Sequence, residues 1–253
     1  MEVPAYVAQL RHDGERISTL LTDAGTDLDA PVPSCPDWCL RDLVRHLGGV
    51  HRWATGFVRA DLDQPTGGDL EDVVGGWPTD AELGTWFADG HHALVGAIEE
   101  APADLETWTF LEAPSPLVFW ARRQAHETAI HRVDAELALG QATGFRPAFA
   151  VDGIDELLLR FLSRPGRELP VDRQRTMAVR AADADRTWRI ALTPGGFVIE
   201  PSGDVTGAET DVCGSASDLY VWLWNRSEGA PLDVTGDREL LDVWREAVQI
   251  RWS

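Results

Sequence analysis

The stretch PSPLVFWARRQAHETAIHRVDAELALG, residues 114–140, decides how this chain is to be read. Pro114 and Pro116 suit the opening turn of a helix, whose first N–H groups have no intrahelical acceptor, and Gly140 suits its end. The pattern predicts a helix running through Trp120 and His131 to Leu139. Within it, His126, Glu127 and His131 invite comparison with the HExxH helix of zinc proteases, but that motif needs its second His at the place of Ile130. At about 100° per residue, Glu127 and His131 lie about 40° apart on one face, whereas His126 and His131 are about 140° apart. Glu127 and His131 are therefore the pair that can share an ion, and Asp134, one turn further on, is placed to orient the imidazole.

Working outward, apolar residues recur at helical spacing from Tyr6 to Ala24 (Val7, Leu10, Ile17, Leu20, Leu21). Pro31, Pro33 and Pro36 forbid a continuous helix across 29–38. A second helix follows from Leu40 to Ala60, with Cys39 at its N-cap and Asp42 as the acidic half of a capping box. Residues 61–76, rich in Gly and acid, read as a loop, and a third helix starts near Thr79 with Glu82 three places on. Four helices of about 20 residues make a four-helix bundle the natural packing. Two donors on one helix need a third from another, and the bundle offers His46. A His–Glu–His set with an open fourth position is a familiar zinc arrangement, although Glu and His four apart also form ordinary surface pairs.

After Gly144 the apolar period changes. A helix is expected over 148–163, then β-type runs at 176–179, 188–192 and 197–200 with Pro194-Gly195-Gly196 as a turn, then helices over 216–225 and 238–248. The expected architecture is an α-helical domain, residues 1–144, followed by a small α+β domain with an antiparallel sheet, residues 145–253.

Composition removes several function classes. The net charge of −20 opposes binding to nucleic acid or anionic membranes, and no run of apolar residues is long enough for a span. All 22 basic residues are Arg, which excludes Schiff-base lysines and the Walker A loop. Three cysteines (Cys35, Cys39, Cys213) argue for a reducing, cytoplasmic setting rather than a disulfide framework.

Three segments carry a resemblance. Residues 35–49, CPDWCLRDLVRHLGG, are similar to the Cys-Pro…Trp…Asp-Leu…His-Leu segment of the mycothiol-dependent maleylpyruvate isomerase family, part of the wider DinB-like metal-binding bundles. Residues 120–134 resemble the family's Trp…Arg-Arg…His-Glu…His…Asp helix, and residues 214–226, GSASDLYVWLWNR, resemble a helix of its second, sterol-carrier-like domain. The resemblance implies a four-helix DinB-like bundle holding zinc, or another divalent metal, on His46, Glu127 and His131. It also implies mycothiol, the actinobacterial counterpart of glutathione, as cosubstrate, and His46 and Arg226 as catalytic residues, with Arg226 binding a substrate carboxylate. The partners implied are a low-molecular-weight thiol and a small anionic substrate of the maleylpyruvate type, for cis–trans isomerisation by a monomer or homodimer. A mycothiol S-transferase and a non-catalytic metal-binding carrier are the alternatives. Asn225 and Cys39 stand where the family more often has Gly and Thr or Ser.

The remaining histidines, His12, His51, His91 and His92, have no partner at useful spacing and read as surface or half-buried. His126 reads either as an acid or base facing the site or as a packing residue against a neighbouring helix, with packing the favoured reading. Arg122 and Arg123 read as helix-surface partners of acidic residues or, where one faces the cleft, as an attraction for an anionic thiol, and Trp38 reads as a plug at the bundle end.

Overall fold

The computed structural model describes residues 1–23, 25–59, 69–164, 168–201, 204–227 and 231–248. The chain forms two compact units, Met1–Thr143 and Gly144–Ser253. The fold class is the expected one, helices first and then a sheet with its own helices.

The first unit consists of α1 (Val3–Thr22), α2 (Leu40–Val58), α3 (Leu70–Val74), α4 (Asp80–Glu100) and α5 (Pro116–Ala138). The starts follow local chemistry. Cys39 and Asp42 form a capping box at α2, Thr79 and Glu82 do so at α4, and Ser115 Oγ accepts a hydrogen bond from Val118 N at 3.3 Å ahead of Pro116. Each box satisfies donors that the first turn leaves orphaned. The stretch expected to be a loop is in part helical: residues 61–68 lie outside the described residues, but Leu70–Val74 forms a single turn capped by Asp69 and ended by Gly75 at φ 73°. Five residues are too few to show a period, so only the cap foretells this turn.

Long helices α1, α2, α4 and α5 pack round a shared core that includes Ile17, Leu43, Leu47, Leu83 and Phe87. Glycines let some side chains of one helix sink into another. The His91 ring of α4 lies where a Cβ on Gly14 of α1 would be, and Trp86 of α4 lies against Gly48 of α2. Arg52 crosses the α2–α4 seam, stacking 3.8 Å from the Trp86 ring centroid while its Nη2 donates to Trp86 O at 2.6 Å.

Helix α5 is the central one: every residue from Arg123 to Glu136 is buried. A helix buried all round is normally apolar, so this one must pair its polar groups internally. Arg132 Nε meets Asp13 of α1 at 3.0 Å and its Nη1 meets Glu136 at 3.1 Å. Glu136 also accepts from Thr143 N at 3.1 Å and from Arg16 Nε at 3.1 Å.

Between α1 and α2 the prolines build a double turn. Cys35 N donates to Val32 O at 3.0 Å and Trp38 N to Cys35 O at 2.8 Å, so Pro33 and Pro36 each take the second position of a β-turn, where a fixed φ is favourable. Val32 N donates to Trp38 O at 3.0 Å and Pro31 bridges to Cys39, which closes the loop on itself.

In the second unit α6 (Pro147–Glu156) continues as one π-helical stretch, Leu157–Leu162. A five-stranded sheet follows, with order β3-β2-β1-β4-β5: β1 (Arg175–Ala181), β2 (Arg186–Thr193), β3 (Gly196–Glu200), β4 (Thr210–Gly214) and β5 (Asp233–Gly236). The pairs are antiparallel except β1 with β4, which run parallel. Helix α7 (Ala216–Leu223) leads out of β4, and α8 (Glu239–Ala247) ends the described chain. Trp188, Ile190 and Leu192 alternate inward along β2 as a period of two requires. The strands β4 and β5 were not expected. β5 buries none of its four residues, and β4 alternates over too short a span to stand out.

Candidate metal centre

His46 sits in the second turn of α2, and Glu127 and His131 sit one turn apart on α5. His131 Nε2 lies 3.2 Å from Glu127 Oε1, and His46 Nε2 lies 3.8 Å from that same oxygen. The three donor atoms all fall within 4.8 Å of one another, in the one group of three or more His, Cys, Asp or Glu among the described residues that could hold an ion. Tetrahedral zinc with bonds near 2.0–2.1 Å separates its ligand atoms by about 3.4 Å, so the 3.2 Å spacing of His131 and Glu127 is close to that value and the 3.8 Å spacing of His46 and Glu127 is somewhat wider. The side chains of His131 and Glu127 are 1% and 5% exposed and that of His46 is 11% exposed, and His46 Nε2 and Glu127 Oε1 are themselves buried, so the donor atoms are screened from solvent.

Each α5 donor is held from behind. Asp134 Oδ2 accepts from His131 Nδ1 at 2.9 Å, which commits that nitrogen to its proton and turns Nε2 inward. Glu127 Oε2 accepts from Arg123 Nη2 at 3.0 Å, leaving Oε1 as its inward oxygen. Arg123, expected on the helix surface, is in fact 2% exposed. It occupies α5 one turn before Glu127, where the bundle interior and not solvent surrounds it. Among the described residues, Oε1 has no hydrogen bond of good geometry.

The electrostatics ask for a cation. Burial disfavours an imidazolium at His131, yet Asp134 and Glu127 outweigh it and push its pKa up to about 9. Burial likewise opposes charge on Glu127, but His131, His46 and Arg123 hold its carboxyl well below the usual range. His46 is lowered, chiefly by burial, which favours the neutral imidazole a metal requires. A positive charge beside Oε1 is thus favoured, and two nitrogens and one carboxylate oxygen are a donor set that suits zinc. The residues present fit a divalent ion.

Other histidines fall outside this set. His126 is buried with its ring edge-on to Tyr6 at 6.3 Å and does not belong to the His46, Glu127 and His131 group. His51 and His91, read from sequence as surface or half-buried, are both 0% exposed: His51 Nε2 pairs with Thr128 Oγ1 at 2.9 Å, and His91 stacks parallel to Phe87. Burial holds both below the ordinary histidine pKa, His91 at about 4, so they are neutral core residues. Their burial depends on the glycine at 14 and the threonine at 128, which helical periodicity does not reveal. Trp38 lies on His46 with ring centroids 4.9 Å apart, and Ser34 Oγ donates to Asp134 Oδ1. Sequence reading gave Ser34 no role. Arg226 belongs to the second unit, just after α7, where it is 8% exposed and its Nη1 donates to Trp224 O at 2.7 Å.

Fold and site together define a class: a helical bundle with a His–Glu–His centre, joined to an α+β unit. Residues 8–136 match the family model of the mycothiol maleylpyruvate isomerase N-terminal domain, and residues 148–242 match the MDMPI C-terminal domain. The chain belongs to the mycothiol maleylpyruvate isomerase family. Its fold is similar to crystal structures of the mycothiol-dependent maleylpyruvate isomerase and of a histidine-to-alanine mutant of that enzyme. The TM-scores are 0.64 and 0.66, each at 13% identity, over 94% of this chain and 95% of the other. No curated protein matches the sequence.

Proposed function

We propose that the chain is a metal-dependent enzyme that uses mycothiol to isomerise a cis-unsaturated dicarboxylate of the maleylpyruvate type, with His46, Glu127 and His131 holding zinc. The convergence of the two Nε2 atoms on Glu127 Oε1 carries this reading, and family membership supports it. Three free cysteines agree with a cytoplasmic setting. A divalent ion held there supplies the Lewis acidity that keeps a thiol as thiolate at neutral pH.

The chain's own residues do the rest. Asp134 keeps the His131 proton on Nδ1, and Arg123 keeps the inward oxygen of Glu127 available. Trp38 shields one side of His46 from water. The thiolate adds to one alkene carbon, the electron pair moves onto the conjugated carbonyl, the new single bond rotates, and expulsion of the thiolate restores the double bond as trans. Atoms and electrons balance without an oxidant. Arg226 is proposed to bind a substrate carboxylate, on chemical grounds: a guanidinium stays charged and pairs bidentately, and the chain has no lysine to offer instead.

The test is metal analysis of the purified protein, a thermal-shift titration with mycothiol, and turnover of maleylpyruvate followed by absorbance. Bound zinc, a mycothiol-dependent shift and isomerisation are the expected results. Zinc with thiol binding but no isomerisation would move the reading to a thiol transferase, and no metal uptake would end it.

A further inference from the structure

We propose that Ser34 is a positioning residue for the metal ligand His131, acting through Asp134. The proposal rests on the metal reading of His46, Glu127 and His131 and extends it outward to a residue on a loop. Ser34 Oγ donates to Asp134 Oδ1 while Asp134 Oδ2 accepts from His131 Nδ1, so a continuous chain of hydrogen bonds runs from the loop to the imidazole. Asp134 is fully buried and Ser34 is half-buried.

The backbone around Ser34 is built to hold it there. It takes the third position of the Val32–Cys35 turn, behind Pro33, and the Cys35–Trp38 turn, begun by Pro36, follows at once. The closed loop thereby reaches both histidine ligands: Ser34 through Asp134 to His131 on α5, and Trp38 directly to the ring of His46 on α2. A carboxylate with two oxygens has rotational freedom about its Cβ–Cγ bond. A donor on Oδ1 restricts that freedom and so fixes the direction in which Oδ2 meets Nδ1. Outer partners of a ligating histidine typically change metal affinity by 10–100-fold when removed, because they set ring orientation and basicity. Ser34 lies one bond further out than Asp134, so its effect should sit at the lower end, about tenfold.

The experiment measures zinc affinity of the full chain by competition with a chromophoric chelator, and the visible spectrum of the cobalt(II)-loaded protein, for wild type, Ser34→Ala, Ser34→Thr, Asp134→Asn and the Ser34→Ala/Asp134→Asn double variant. Ser34→Ala should weaken zinc binding about tenfold and alter the cobalt bands, Ser34→Thr should restore both, and Ser34→Ala should add nothing once Asp134 is Asn. Thermal melting of the metal-free variants shows that each is folded. Wild-type affinity and spectrum in Ser34→Ala overturn the proposal, as does an equal loss in Ser34→Thr or full additivity with Asp134→Asn. A wild-type chain that binds neither zinc nor cobalt overturns the metal reading, and this proposal with it.

Discussion

Single side chains decide whether an ion can be held. Under the proposed function, His46→Ala, Glu127→Ala and His131→Ala should each abolish metal binding, whereas His126→Ala should keep it, because His126 lies against Tyr6 and outside the donor group. Elemental analysis of the four variants checks this, and equal loss in His126→Ala would mean that the donor set is wrongly assigned. Backbone conformation also acts at this scale. Asn225 adopts φ 59°, a left-handed conformation that Gly enters freely and that Asn enters more readily than other residues. Where the family more often has Gly, Asn is thus a conservative replacement. Cys39 replaces Thr or Ser in a similar way, since its Sγ still lies 3.0 Å from Asp42 Oδ2 at the head of α2.

Between elements, helix packing sets the cost of change. A methyl group at Gly14 would overlap the His91 ring, and one at Gly48 the Trp86 ring, so Gly14→Ala and Gly48→Ala should each destabilise by about 1–3 kcal/mol, as overpacking does. Gly96 of α4 has open space at its Cβ position, so Gly96→Ala should instead stabilise by about 0.5–1 kcal/mol through helix propensity. Urea denaturation of the three variants separates the outcomes. The α1–α5 seam makes a further prediction. Burial pushes the Asp13 pKa up to about 6 against the opposing pull of Arg132, Gln9 and His12, with Glu136 adding to the rise. Because the folded chain then binds the Asp13 proton more tightly than the unfolded chain does, this group's contribution falls as pH rises from about 4 to about 6, by up to about 3 kcal/mol. The difference in unfolding free energy between wild type and Asp13→Asn, measured across pH 4–7, should show that slope. A difference independent of pH would refute it.

For the whole molecule, a net charge of −20 repels an anionic substrate, so a specific cation has to receive it. Under the proposed function that cation is Arg226. Arg226→Ala should leave zinc content and mycothiol affinity near wild type while lowering kcat/KM by about 10²-fold or more, equivalent to roughly 3 kcal/mol of transition-state stabilisation. Calorimetry with mycothiol and steady-state turnover, run side by side, test it. Unchanged turnover would remove Arg226 from the reaction.

The sequence by itself determined the long helices, because caps and periodicity are local. Thr79 with Glu82, Ser115 with Pro116 and the i, i+4 pair of Glu127 with His131 involve neighbours along the chain, and their physics is complete within one or two turns. It also carried the candidate centre: helical geometry offered Glu127 and His131 as a pair able to share an ion, while the resemblance of residues 35–49 and 120–134 to the family, more than any spacing, pointed to His46 as the third donor. Only the tertiary structure decided what surrounds them. The link from Ser34 to Asp134 spans 100 positions, and that from His51 to Thr128 spans 77. No local pattern encodes such pairs. The burial of His91 depends on Gly14 of another helix, and that of Arg123 on the central place of α5. The parallel pairing of β1 with β4, likewise, is a choice between distant segments, made when their apolar faces are buried together rather than by the residues of either strand alone.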